Sequence, residues 1–340
     1  MASISVIVPN YNRADLVGET LTNLLSQRRP PDELIVVDDG STDGSADVIA
    51  GFGRAVTLLR QANAGPAVAR NRALASASGE FIQFFDSDDL CSLDKLELQE
   101  KALAASAAPF AYGPWLQARL LPGMAEYAEP ALQQRALPPS RPALSWYLRG
   151  WVTVFQTCLF RRSVLDRAGR YREDLMPSED SELLFRILAG GGEPVHVPEA
   201  LVLYRLHAGQ QISRGGMAQA RRARDWAHYV GVVAAQLDGL ENLSARDRQY
   251  WRWREHDAAQ ALRALDAAAA PPPAMATSRR LEWAAIRQVR RWAAGVSRRL
   301  GGSSFSRAYG PGNLTAAQHD RLAAIGHAPH KIAAAALEDA

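Results

Sequence analysis

The first ninety residues constrain this chain most, because short apolar runs alternate there with stretches of helical spacing. Ile4-Ser5-Val6-Ile7-Val8, ended by Pro9, reads as a buried strand. Asp15 to Gln27 follows, with Leu16, Thr20, Leu21, Leu24 and Leu25 at helical steps. Leu34 to Val37, Val56 to Leu59 and Phe81 to Phe85 read as three more strands, separated by helices over Ser45 to Ala50 and Ala67 to Ala77. Strands and helices that alternate through short loops make βαβ units, and these build a parallel sheet covered on both faces. Ligands of such sheets bind outside the carboxyl ends of the strands. Here those ends carry Pro9-Asn10-Tyr11-Asn12, Asp38-Asp39 and Asp86-Ser87-Asp88-Asp89.

Later segments are less regular. Leu93 to Ala107 reads as a helix, and Pro109 to about Pro142 as loops and short strands. A second ordered block, Trp151 to Leu206, holds an apolar segment (Val152 to Phe160), a helix near Asp180 to Leu188 and a strand near Leu201 to Leu206. Beyond Arg214, Ala, Arg and Trp dominate with helical periodicity and no strand signal. The expected division is an α/β unit over 1–214 and a helical region over 215–340, with an Ala/Pro linker near 267–273.

Composition removes several classes. A chain of 340 residues with 47% apolar content can bury a sizeable core, which excludes a disordered protein. Lys and Arg number 39 against 36 acidic residues, too balanced for a protein that wraps nucleic acid. Cys91 and Cys158 form no CxxC pair and no disulfide framework, so a reduced, cytoplasmic setting is expected. No apolar run approaches the roughly 18 residues of a membrane span. The start of the chain has no basic region ahead of its first strand, so no signal peptide is expected.

Five constellations carry chemistry. Asp86 and Asp88 stand two apart, so they share a face if the extended geometry persists, and two such carboxylates suit Mg²⁺ or Mn²⁺. The competing reading is that Asp86-Ser87-Asp88-Asp89 caps the helix that starts near Leu93. Asp39, Ser41, Asp43 and Gly44 match the first half of a calcium loop, but the position that needs Glu is Ala50. A carboxylate at that strand end can instead accept hydrogen bonds from a nucleobase imide or a ribose hydroxyl. In Asn63-Ala64-Gly65-Pro66-Ala67-Val68-Ala69-Arg70-Asn71, Arg70 lies one turn into a helix, either solvated or within reach of a nucleotide. Glu179 and Asp180 begin a helix, where the macrodipole already favours negative charge; a catalytic role needs one of them to face a cleft. His207 ends a strand and is either structural or a ligand that joins Asp88 on a metal.

In this order and spacing, Pro9-x-Tyr11-Asn12, Asp38-Asp39-Gly40-Ser41, Asn63-x-Gly65 with Arg70-Asn71, Asp86-x-Asp88-Asp89, Glu179-Asp180 and Tyr204-Arg205-x-His207 resemble the inverting glycosyltransferases of family 2, which have the GT-A fold. Arg161-Arg162, Gly169-Arg170-Tyr171 and Asp174 also look like that family's stretch ahead of the Glu-Asp pair. The resemblance covers residues 3 to about 214. It implies a GT-A sheet, mostly parallel with flanking helices, in a catalytic domain over 1–214. It also implies a nucleotide-diphosphate-sugar donor, UDP-linked as the first expectation, although thymidine and guanosine donors share the scaffold. Carried over, Pro9, Tyr11 and Asp38 line the base pocket, while Asp39, Arg70 and Ser87 help to hold the nucleotide. Asp86 contacts the ribose and the metal shell, Asp88 ligates Mn²⁺ or Mg²⁺, and His207 is a further metal or phosphate contact. Asp180 is the general base and Glu179 its acceptor-side neighbour. The implied acceptor is a glycan, lipid-linked or other hydroxyl, and no nucleic acid.

Two positions depart from the family pattern, both expected on the acceptor side: Ser181 where a bulky aromatic is common, and Gln156-Thr157 where small hydroxyl residues are common. A sugar nucleotidyltransferase is the rival enzyme class, but Pro9-Asn10-Tyr11-Asn12 replaces its Gly-rich phosphate loop. An inactive binding module on the same fold is the non-enzymatic rival, and Asp88, Asp180 and His207 argue against it. Ser278 to Leu300 reads as a basic helix with an apolar stripe of Leu281, Ala285, Val289, Trp292, Val296 and Leu300. It either packs on the α/β unit or lies at an anionic membrane surface, which would put the protein at the inner face of the membrane. The tryptophans Trp226, Trp251, Trp253 and Trp283 are expected to pack helices together. Oligomeric state is not encoded in any of these patterns.

Overall fold

The expected parallel sheet is present in the computed structural model, which describes residues 2–127, 131–207, 219–241, 243–266, 269–270, 272 and 312–331. Its first half runs β1 (Ile4–Asn10), α1 (Ala14–Leu25), β2 (Glu33–Asp38), α2 (Ser45–Ala50), β3 (Thr57–Arg60), α3 (Pro66–Ser76) and β4 (Phe81–Phe84). Next come β5 (Leu90–Cys91), α4 (Lys95–Ala104), β6 (Phe110–Tyr112), β7 (Trp115–Leu121), β8 (Met124–Tyr127) and α5 (Ala143–Leu148). Then follow β9 (Cys158–Arg161), α6 (Arg162–Ala168), α7 (Glu179–Ala189), β10 (Val195–His196) and β11 (Val202–Leu206). The described chain closes with α8 (Gln219–Leu237), α9 (Ala245–Leu265), α10 (Ala316–Ala324) and β12 (Ala328–Lys331).

Two sheets result. The seven-stranded sheet has the order β10-β6-β9-β4-β1-β2-β3, and β9 alone runs against its neighbours. Its strands are apolar on both faces because helices cover both. Along β1, Ile7 joins one core, while Ile4, Val6 and Val8 join the other; Ile35 and Val37 of β2 separate in the same way from Leu34 and Val36. The five-stranded sheet has the order β12-β8-β7-β11-β5 and packs its own core of Leu90, Leu116, Tyr127, Leu203 and Leu322.

Three local expectations change. Asp86 to Asp89 do not cap a helix: β5 intervenes, pairs antiparallel with β11, and α4 starts only after Asp94. The absence of strand signal after Arg214 is also misleading, since Ala328–Lys331 pairs in parallel with β8. That segment has little β-propensity of its own, and its neighbours set its position. A capping box between Thr315 and Gln318 starts α10, Leu322 is fully buried, and Arg321 pairs with Asp94 at 2.8 Å. Third, Trp251 and Trp253 are buried between helices as expected, but Trp226 is 40% exposed beneath the Arg254 guanidinium. Trp283 and the Ser278 to Leu300 stretch lie outside the described residues. Among the described residues, no helix is long and apolar enough to cross a membrane.

Candidate active site

The site forms where β1, β2 and β4 end. Asn10 and Asn12 tie the first loop to the second. Asn10 Nδ2 donates to Asp38 Oδ1 and Ser41 Oγ, both at 3.2 Å, and Asn12 Oδ1 accepts from the Thr42 amide at 2.8 Å. Gly40 is required between them. Its φ is +78°, and a Cβ there would stand 2.7 Å from the Asn63 amide nitrogen. Tyr11, at the tip of the first loop, is 46% exposed and free to stack on a planar ring.

Asp38 is buried at the end of β2, while Asp39 faces the loop before α3. Asp39 Oδ1 accepts from Gln61 Nε2 at 2.8 Å and from the Ala64 amide at 2.9 Å, and Oδ2 accepts from the Gly65 amide at 2.8 Å. This carboxylate fixes the entry to α3 and so aims Arg70.

Arg70 is not the solvated arginine of the competing reading: it is 6% exposed and packs over the Tyr171 ring. Its Nη2 lies 2.9 Å from Asp86 Oδ1, and its Nη1 lies 3.2 Å from Glu179 Oε1 and 3.9 Å from Asp180 Oδ1. One guanidinium thus joins the loop after β4 to the start of α7. Glu179 turns inward to Arg70. Burial pushes its carboxyl up to about 7, and neighbouring Asp180 adds to the rise. Asp180 keeps 32% of its side chain exposed, against 7% for Glu179.

The carboxylate oxygens of Asp86, Asp88 and Asp89 lie within 4.8 Å of one another. Their environments differ. Burial pushes Asp86 up to about 6 despite Arg70, and burial with the neighbouring carboxylates holds Asp89 well above the usual range. For Asp88 burial acts in the same direction, but hydrogen bonds from His207 and Arg13 outweigh it and hold the carboxyl low. Asp89 serves structure: Oδ1 accepts from the Arg205 amide at 2.9 Å and Oδ2 from Gln156 Nε2 at 3.0 Å. Asp88 Oδ2 meets His207 Nε2 at 3.1 Å. On an octahedral Mg²⁺ with ligands at 2.0–2.1 Å, adjacent ligands stand roughly 3 Å apart. Asp88 and His207 therefore fit adjacent positions on one hard cation, with Asp86 in reach.

Pro9 closes β1 opposite Val37, and Ser87 is buried with its carbonyl accepting from Thr20 Oγ1 at 3.1 Å. Gln156 is 5% exposed and lies against the acidic loop after β4. Its Nε2 donates to both Asp86 Oδ2 and Asp89 Oδ2, which puts it behind the metal-type carboxylates. The turn that carries it is held by Gln83 Nε2, which donates to the Phe155 and Gln156 carbonyls at 3.2 and 3.1 Å. Gln83 in turn accepts from Lys95 Nζ, a fully buried ammonium that burial pushes down to about 8. Sequence patterns gave no notice of Lys95, Gln83 or Arg13. The unusual Gln156 was the one visible sign of this layer, because a long amide beside an acidic loop has donors to place.

The profile described as glycosyl transferase family 2 matches residues 5–169. The chain is 39% identical over 113 residues to the putative teichuronic acid biosynthesis glycosyltransferase TuaG of Bacillus subtilis, spanning 32% of this chain and 45% of TuaG. It is 37% identical over 112 residues to the UDP-Glc:alpha-D-GlcNAc-diphosphoundecaprenol beta-1,3-glucosyltransferase WfgD of Escherichia coli, spanning 32% of this chain and 44% of WfgD. The chain thus spans less than half the length of these curated relatives. In fold it is similar to S. aureus TarS 1–349 in complex with UDP (TM-score 0.57, 20% identity, 83% of this chain and 78% of that one). It is also similar to the mannosyltransferase PcManGT from Pyrobaculum calidifontis in complex with GDP-Man and Mn²⁺ (TM-score 0.52, 22% identity, 85% and 80%). Residues 5–169, where this chain is similar to glycosyl transferase family 2, hold the strand-end loops, Arg70 and the Asp86–Asp89 cluster.

Proposed function

We propose that this chain is an inverting glycosyltransferase that moves a sugar from a nucleotide-diphosphate sugar, UDP-linked as the first expectation, to a hydroxyl acceptor. The observation that carries the reading is Arg70, which joins Asp86 of the donor-side loop to the Glu179-Asp180 pair. A nucleotide held over Asp86 then has a solvent-facing carboxylate, Asp180, across the cleft. Tyr11, Pro9 and Asp38 receive the base. Asp39 acts through the loop before α3, and Glu179 acts by holding Arg70.

Asp88 and His207, with Asp86 beside them, would hold Mn²⁺ or Mg²⁺, and the bound cation would neutralise the leaving diphosphate. Asp180 accepts the acceptor's hydroxyl proton as the new bond forms to the anomeric carbon and the bond to the diphosphate oxygen breaks. Attack from the face opposite the leaving group inverts that carbon. A base placed this way contributes typically about 10²–10⁴-fold.

Polysaccharide or lipid-linked glycan synthesis is the setting we favour, supported by the names of TuaG and WfgD. The basic 278–300 stretch would then meet the inner face of the membrane and bring the site to a lipid-linked acceptor. Sedimentation with anionic vesicles at low salt, and release at high salt, tests that contact. A thermal-shift screen of nucleoside diphosphates and their sugars, with and without Mn²⁺, tests the donor. A metal-dependent rise in melting temperature with UDP is expected; no response to any of them would sink the reading.

A further inference from the structure

Two nitrogen-bearing side chains share one oxygen of Asp88. His207 Nε2 stands 3.1 Å from Oδ2, and Arg13 Nε stands 2.9 Å from the same atom. The His207 contact is compatible with a shared metal, as argued above. The Arg13 contact is not, because a guanidinium has donors only and carries its charge at every working pH. It offers nothing to a metal and repels one. A cation on Asp88 Oδ2 therefore competes directly with Arg13.

Arg13 also stands where a donor's phosphates would arrive. It is the residue before α1, its amide donates to Ser45 Oγ at 2.9 Å, and its Nη1 donates to the Asn12 carbonyl at 2.9 Å. Its side chain therefore bridges the end of β1 and the loop after β4, the two loops on either side of the expected diphosphate. The fork of a guanidinium matches two phosphate oxygens better than the one carboxylate oxygen of Asp88 that its Nε meets here. No hydrogen bond that starts α1 comes from this side chain, so its position is not required to cap the helix.

Resting on the glycosyltransferase reading, we propose that Arg13 is a diphosphate-binding residue held on Asp88 in the donor-free protein. It opposes the divalent cation there and transfers to the donor's diphosphate when cation and nucleotide bind together. Metal binding without nucleotide is thereby disfavoured, and the two ligands become mutually reinforcing, because each removes a cost of binding the other.

The test uses the full-length protein, Arg13→Ala and Arg13→Lys, with melting curves to verify folding. MnCl₂ alone is titrated by electron paramagnetic resonance of the free ion. UDP, and in a parallel arm GDP, is titrated by calorimetry in saturating Mn²⁺. Arg13→Ala should bind Mn²⁺ alone about threefold or more tighter, since a competing ion pair is gone. The same variant should bind the nucleotide about tenfold more weakly, since a charge-assisted contact is lost. Arg13→Lys should resemble the wild type toward Mn²⁺ alone and lie between the two toward nucleotide. If Arg13 only orients Asp88, both affinities fall in Arg13→Ala. That result, or any other pairing of signs, overturns the proposal while the glycosyltransferase reading stands on wild-type binding. If the wild type binds neither nucleotide in Mn²⁺, that reading fails and takes this proposal with it.

Discussion

The seven-stranded sheet and the five-stranded sheet both supply the site, but over very different distances along the chain. In the first, β1, β2 and β4 deliver Asp38, Asp39 and Asp86 to a common edge through consecutive βα units. In the second, β11 brings His207 to Asp88 from 119 residues further on. β12, more distant still, covers the outer edge of β8. The first sheet's geometry is set by a repeated local rule. The second is assembled from pieces that mean little alone, and its hold on the site passes through a few contacts: Arg205 to Asp89, Glu19 to Arg205 at 2.7 Å, and His327 to Glu19 at 2.7 Å. One sheet thus carries the acidic strand-end loops, and the other brings His207 to them.

The largest expected effect tests that asymmetry. Asp88→Ala should abolish metal-dependent nucleotide binding, read by calorimetry of UDP with Mn²⁺. His207→Ala, the second sheet's contribution, should weaken metal affinity by about 10–100-fold without abolishing it. Equal losses in the two variants would erase the difference between the sheets.

Next comes the pair at the start of α7. Asp180→Asn keeps the shape and removes the base, so kcat should fall by about 10²-fold or more while UDP affinity holds. Glu179→Gln should do the reverse: it weakens the hold on Arg70 and loosens UDP binding by about tenfold, with a lower melting temperature. Normal turnover in Asp180→Asn together with lost turnover in Glu179→Gln would reverse the two roles.

Leu322→Ala, on α10, should cost about 2–5 kcal/mol of stability, the usual range for emptying a buried leucine site. UDP affinity should move less than about twofold, because Leu322 packs into the second sheet's core. A large loss of UDP binding in the folded variant would mean that the returning C-terminal segment shapes the donor site.

The smallest effect concerns Lys95, between β4 and the turn that carries Gln156. Its ammonium is held down to about 8 by burial, against an ordinary lysine near 10.5. Between those two pH values the unfolded chain binds more protons at this residue than the folded one, so its contribution to stability rises with pH. The difference in melting temperature, wild type minus Lys95→Met, should grow from pH 8 to 10.5. A difference that stays flat would show that Lys95 keeps its proton throughout.

Much of the first sheet was legible because its signals are local. An apolar run such as Leu34 to Val37, flanked by turn residues and followed by a helical stretch, can be satisfied only by a buried parallel strand. Its end then falls at the site by the topology of such sheets. Arg70 was legible as a candidate but not as a hub, because its partners Asp86 and Glu179 lie 16 and 109 residues away. Gln156 was visible as an anomaly but not as a partner of Asp86 and Asp89, because nothing nearby in sequence says which carboxylates its amide must satisfy. Ala328–Lys331 was not legible as a strand at all.

Periodicity and motif order by themselves determined the α/β class, the strand-end loops and the identity of the acidic and basic residues that gather there. Only the tertiary structure decided which of those residues are committed to one another. Asp39 is spent on a loop, Glu179 on Arg70 and Asp89 on Gln156 and the Arg205 amide, while Asp180 is the more exposed of the pair on α7. The reason is physical. Secondary structure follows from the spacing of apolar side chains along a few turns of chain. A buried carboxylate's role depends on which donors reach it, and those come from segments the sequence does not place side by side.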